Sequence, residues 1–179
     1  HDAFERARAG EGQVVFVVGD PGIGKSRLLR ELRRRIGDGA AWQEGHCLSF
    51  GHAMTFHPLV DLLRRQFGVE DTDPEAVIVA KIERGVTEAG EDVKGTAPYV
   101  RGLLSVDPGD DEVRRMNPAQ RRGETFEALR RLLVRAAEGR PQVYVVEDLH
   151  WIDSASERFL VSLVDSVPAL RAMLVFTYR

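Results

Sequence analysis

The stretch that most restricts this chain is Gly19-Asp20-Pro21-Gly22-Ile23-Gly24-Lys25-Ser26, which follows directly on the apolar run Val14, Val15, Phe16, Val17, Val18. Glycine and proline at this density end a strand and force a tight loop. The spacing is G-x-x-x-x-G-K-[ST]. In that pattern the glycines let successive backbone N–H groups turn inward on phosphate oxygens, the lysine reaches the outer phosphates, and the serine hydroxyl faces a divalent metal. Downstream, Leu28, Leu29, Leu32 and Ile36 form one apolar stripe beside Arg27, Arg30, Arg33 and Arg34, which predicts a helix from Ser26 to Ile36. The positive pole of that helix adds to the anion site. Of 25 basic residues only Lys25, Lys81 and Lys94 are lysine, yet lysine stands where a compact point charge is needed.

Four segments read as buried strands, 13–18, 41–47, 142–147 and 172–177, and helices separate them. This alternation predicts a three-layer α/β/α sandwich with a mostly parallel central sheet, truncated after the fourth strand. A helix is expected from near Pro58, a residue suited to the first helical turn, to Gly68. Glycines and prolines punctuate 68–118, which reads as short helices such as 75–84 and 99–104 inserted between strands two and three. A long helix follows from Pro118 to Glu138, with Phe126, Leu129, Leu132, Leu133 and Ala136 inward. Ser154 and Glu157 have capping-box spacing and open a last helix that Pro168 closes. The whole of 1–179 is expected to be one domain. Both ends look cut, so the expectation is a piece of a longer protein.

The strand Val143, Tyr144, Val145, Val146 runs into Glu147 and Asp148, placing two acids at a strand's carboxyl end, where open α/β sheets hold their ligands. Glu147 is expected to hold Mg²⁺ with Ser26, and Asp148 to share the metal shell and to orient or deprotonate an attacking water. Residues 19–29, the string Glu147-Asp148-Leu149-His150-Trp151-Ile152-Asp153-Ser154-Ala155-Ser156, and the segment from Gly45-His46-Cys47 to Phe56-His57-Pro58-Leu59 together resemble P-loop NTPase domains of the AAA and STAND type. Such domains, similar to origin-recognition-like AAA ATPases, occur in large bacterial regulators beside LuxR-type DNA-binding modules or adenylate/guanylate cyclase domains. The resemblance implies ATP or ADP with Mg²⁺, bound by Gly19, Asp20, Pro21, Gly22, Ile23, Gly24, Lys25, Ser26 and Arg27. It also implies a catalytic role for Arg179, since Thr177-Tyr178-Arg179 looks like the sensor 1 position. Related ATPases more commonly carry Asp first and Glu second, so the order Glu147-Asp148 implies slow hydrolysis.

Several classes are disfavoured. Net charge is -3 and pI about 6.0, so no overall basic field draws nucleic acid or an anionic membrane to this fragment. The apolar runs fall far short of the roughly 20 residues that span a bilayer. A single cysteine, Cys47, fits a reducing cytoplasm. His46, Cys47, His52 and His57 could all ligate metal, but adjacent strand residues face opposite ways and the spacing matches no zinc motif. Cys47 lacks an evident activating base. Asp153 reads as a turn or helix cap. A GTPase is disfavoured because the motif after strand three, Glu147-Asp148-Leu149-His150, lacks D-x-x-G, and no N-K-x-D motif occurs. The leading expectation is a regulatory ATP-binding domain whose partners are nucleotide and flanking effector domains of its own chain, with nucleotide-dependent self-association. The alternatives are a rapidly hydrolysing AAA machine subunit and a non-hydrolysing assembly module.

Overall fold

The structure is a computed structural model and describes residues 1–49 and 55–179. Two compact units are present, one formed by residues 1–62 and 137–179 and the other by 63–136. The first holds four strands, β1 (Gln13–Val18), β2 (Ala41–His46), β3 (Gln142–Glu147) and β4 (Ala172–Tyr178). All pairings are parallel and the order is β1-β4-β3-β2. β3 is buried along nearly all its length because it has neighbours on both sides, which is why Val143 to Val146 carry no polar alternation.

Each face of the sheet has its own cover. Val143, Val145, Met173 and Val175 meet helix α1 (Asp2–Arg8) through Phe4 and Ala7, and helix α2 (Lys25–Ile36) through Leu29 and Ile36. Sequence periodicity gives no expectation for α1, which is only seven residues long. Leu28, expected in the inward stripe of α2, is 55% exposed. One residue turns a helix by about 100°, and Leu29 takes the inward direction. On the opposite face Phe16 lies 5.3 Å from Phe176 and 6.2 Å from Tyr178. With Leu160, Val161 and Val164 of helix α8 (Ser154–Val164) these rings wall an apolar groove of about 360 Å³.

The remaining helices follow in chain order: α3 (His57–Phe67), α4 (Glu75–Ala89), α5 (Ala97–Leu103), α6 (Asp111–Arg115), α7 (Pro118–Gly139) and α8 (Ser154–Val164). Within the 63–136 unit, Ile82, Val86, Val93, Val100 and Leu132 are almost fully buried. α4 runs on through Gly85 to Ala89, past the expected end at 84, because the missing side chain at 85 is the space that Phe67 fills: an added Cβ would lie 2.6 Å from its ring. Asn117 caps α7 by accepting from the amides of Ala119 and Gln120, both at 3.0 Å, which sets Pro118 in the first turn. Phe126, Leu133 and Ala136 are half-buried, whereas Leu129 and Leu132 are buried.

Several boundaries differ from the expected ones by a residue or so, β4 for instance running on to Tyr178, and two of them have an evident cause. β2 ends at His46, although the amide of Cys47 still donates to the carbonyl of Glu147 at 3.0 Å. The cap of α8 is Asp153, one residue before the expected Ser154. Its carboxylate accepts from the amides of Ala155 (3.1 Å) and Ser156 (3.0 Å) and from the Ser156 hydroxyl (2.6 Å). A buried carboxylate accepting three such bonds outcompetes a serine hydroxyl as a cap. Among the described residues no helix is long and apolar enough to cross a membrane.

At the entrance to β1 the chain passes against the turn at 167–169. A Cβ built on Gly12 would lie 1.8 Å from the carbonyl oxygen of Val167, and the Gly12 amide donates to the Pro168 carbonyl at 3.3 Å. Backbone there must move to admit any side chain. Gly12→Ala is expected to destabilise the protein by about 1–3 kcal/mol, as measured by chemical denaturation; an unchanged midpoint would show that this approach is not tight.

Candidate functional site

Parallel pairing puts the carboxyl ends of all four strands at one edge of the sheet. Residues 19–24 leave β1 there, Glu147 and Asp148 leave β3, and His46 ends β2. Gly22 and Gly24 have φ of +80° and +109°, left-handed backbone that side chains resist. Gly24 is the N-cap of α2 and supplies no side-chain hydrogen bond to the first turn. The leading N–H groups of α2 therefore face an anion site with no competing side-chain acceptor. Asp20, Pro21, Gly22, Ile23, Gly24, Ser26 and Arg27 are exposed, so the loop is open to a ligand. Lys25 Nζ folds back over the loop and donates to the carbonyls of Gly19 (2.6 Å) and Asp20 (3.1 Å). A charged phosphate oxygen would attract this ammonium more strongly than these neutral carbonyls do.

The decisive contact joins the two motifs: Ser26 Oγ donates to Glu147 Oε2 at 3.0 Å across 121 residues of sequence. The His46 ring beside it holds the Glu147 carboxyl below the usual carboxylate range, and Ser26 and the Lys25 charge add to this against the opposing effect of burial. Glu147 is therefore ionised. An ionised carboxylate and a hydroxyl, both hard oxygen donors, fit Mg²⁺. Asp148 is exposed and has φ 57°, ψ 45°. Its amide donates to Thr177 Oγ1 at 3.1 Å. Arg179 is exposed and directly follows Tyr178, whose carbonyl accepts from the Gly19 amide at 3.3 Å.

Three residues absent from the expected site set meet it. Thr177 is 1% exposed and is the polar interruption in the apolar β4 run; that interruption was the available signal. His46 Nε2 lies 3.6 Å from Glu147 Oε1, and its Nδ1 lies 3.2 Å from Asp61 Oδ2 on α3. No local pattern in the sequence marks Asp61, because it reaches the site through the packing of α3. The other sulfur and nitrogen candidates have different surroundings. Burial, with the charges of Asp153 and Asp148, pushes the Cys47 thiol up to about 12, so it stays protonated. His57 Nδ1 donates to the His46 carbonyl at 3.0 Å. His52 lies outside the described residues.

A four-stranded parallel sheet with flanking helices and a glycine loop between β1 and α2 defines a P-loop NTPase-like α/β fold. The family described as AAA ATPase domain matches residues 1–176. The chain belongs to this family, which binds nucleotide and typically uses Mg²⁺. It is also 33% identical over 180 residues to an uncharacterized protein of Rhizobium meliloti (strain 1021), a match covering 96% of this chain. The chain spans only 16% of that relative's length.

The ion pairs around His46 have a pH signature. The Asp61 carboxylate, accepting from the ring, and the nearby Glu147 carboxylate raise its pKa from 6.5 to about 10. A raised folded-state value means that the stabilisation is complete below the unfolded value, roughly 6.5, and is lost as pH rises through about 10. In nucleotide-free buffer the stability difference between wild type and His46→Gln should be present at pH 6 and shrink by pH 10. Urea unfolding at the two values checks this, and a constant difference would mean that the ring is not held by its charge.

Proposed function

We propose that this chain is the nucleotide-sensing domain of a larger regulatory protein, which binds ATP with Mg²⁺, hydrolyses it slowly and signals occupancy to flanking domains of the same chain. The observation that carries the reading is the 3.0 Å contact between Ser26 and Glu147 beside an uncapped glycine loop. Residues 19–27 bind the phosphates through backbone N–H groups, and Lys25 exchanges its Gly19 and Asp20 carbonyls for phosphate oxygens. Ser26 and Glu147, with Asp148, would hold Mg²⁺, which would supply charge neutralisation for the outer phosphates. Asp148 orients the attacking water, with its main chain fixed by Thr177. Arg179, at the end of β4, pairs with the terminal phosphate.

Slow turnover follows from the acid pair. The longer acid, Glu147, is engaged by Ser26 and His46, leaving the shorter Asp148, on left-handed main chain, as the water-positioning group. A domain of this kind suits a switch better than a motor. The length of the relative leaves room for the effector domains that such a switch requires, and a LuxR-type or cyclase output is part of the proposal.

Two substitutions test it. Lys25→Ala should lower ATP affinity at least tenfold while leaving the melting temperature of the free protein nearly unchanged, because the Lys25 ammonium is exchanged between carbonyls of its own loop, Gly19 and Asp20; unaltered affinity in calorimetry sinks the site assignment. Asp148→Asn keeps a residue that tolerates left-handed backbone and removes the base, so single-turnover hydrolysis should fall by roughly 10²-fold or more with ATP affinity within about threefold of wild type. Equal hydrolysis rates would remove Asp148 from the chemistry.

A further inference from the structure

The sheet face turned away from α1 and α2 is covered unevenly. Val15 and Val17 of β1 pack against the cluster under those two helices, so Phe16 and Val18 point the other way, where they are 55% and 58% exposed. Phe176, opposite Phe16 in the β1–β4 register, is buried, so cover is lost toward β1, which ends the strand order. A second apolar rim is Val161 of α8, 66% exposed. Between the rims runs the groove of about 360 Å³, with Phe16, Phe176 and Tyr178 as its floor and Leu160, Val161 and Val164 as its wall.

In layered α/β domains a bare sheet face beside a packed helix is the place of another helix. The dimensions agree: the groove takes roughly the three to four apolar side chains that an amphipathic helix presents over two turns. A small ligand would fill the groove and still leave Val18 and Val161 in water, and exposed apolar surface of this extent marks contact with a polypeptide segment. Glu157 is the carboxylate in the lining, so a Lys or Arg at the matching end of the apolar stripe complements it. The chain spans only 16% of its relative's length, and a helix tethered in the same polypeptide outcompetes separate partners through its high effective concentration.

We propose that this groove docks an apolar helix from a part of the same polypeptide outside residues 1–179, and that nucleotide occupancy is signalled through that docking. The inference rests on the reading of the chain as an ATP-binding regulatory domain and names the surface by which it signals. Residues that line the groove are chain neighbours of the site. Leu149 and His150 directly follow Asp148. Tyr178 precedes Arg179, and its carbonyl accepts from the Gly19 amide at 3.3 Å. Gly19 is also where Lys25 rests, its ammonium donating to the Gly19 carbonyl at 2.6 Å. When Lys25 turns to a phosphate, Gly19 loses that contact, and Gly19 is hydrogen-bonded to the residue whose ring floors the groove. A helix that fits the floor better in one arrangement than in the other responds to occupancy, and by linkage it changes nucleotide affinity by the same factor.

The test uses the purified full-length protein with a benzoylphenylalanine photo-crosslinker at position 161. Irradiation should link that position, within one molecule, to an apolar helical segment outside residues 1–179. The yield should differ roughly fivefold or more between adenylyl imidodiphosphate with Mg²⁺ and ADP. In the same protein Val161→Lys should move the ratio of the two nucleotide affinities by a comparable factor, a shift that a merely structural side chain would not cause. Val161 is exposed, so its replacement is compatible with folding, and a thermal melt verifies this. A link between two molecules gives the face to a second copy and overturns the proposal. No link to any segment outside residues 1–179 overturns it as well. So does an equal yield with the two nucleotides, or an affinity ratio that Val161→Lys leaves unmoved. Absence of binding of either nucleotide to wild type in calorimetry removes the ATP-site assignment and the signalling role with it. Nucleotide binding with an uncovered groove removes this inference alone.

Discussion

Everything at the site depends on β3 being paired in parallel on both sides. The register with β2 sets His46 beside Glu147, and the register with β4 carries Thr177 up to the Asp148 amide. β4 in turn pairs with β1, which delivers the glycine loop to the same edge. A slip of one residue in any of these ladders would turn the acid to the other face and separate it from Ser26. The apolar side chains that lock the registers, Val143 and Val145 against Met173, Val175 and Leu29, are therefore part of the chemistry although none of them touches a ligand.

Much of the fold was legible from the chain because its strongest signals are local. The glycine loop, the Val-rich strands and the capped long helices each follow from residues within a few positions of one another, and all four strands lie where the sequence placed them, β2 ending one residue earlier and β4 one later. The parts that were not legible depend on distant partners. α1 is short and gains its stability from burying Phe4 and Ala7 on the sheet, a contact no window of sequence contains. α4 passes through Gly85, an apparent breaker, because Phe67 occupies the gap.

The same division runs through the site. The glycines, Lys25, Ser26 and the two acids announce themselves by spacing, and the family match over 1–176 agrees with the fold that they imply. His46 offers no such spacing. Its meaning comes from Asp61, fifteen residues on, and from Glu147 across the sheet. Histidine next to cysteine invites a metal reading in sequence. In three dimensions the imidazole lies between two carboxylates, and the thiol is held protonated by burial.

The backbone of Asp148 carries a consequence for how such a site can change over time. At φ 57° and ψ 45° the position tolerates Asp or Asn, whose short side chains bond locally, and penalises longer residues by about 1–2 kcal/mol. Exchanging the two acids to give Asp-Glu is thus not a neutral swap. It would place the longer residue in left-handed backbone and, at 147, shorten the side chain that spans from Ser26 to His46. A lineage carrying this arrangement sits in a local trap: each single step toward the commoner order loses a contact or gains strain before the other step can compensate.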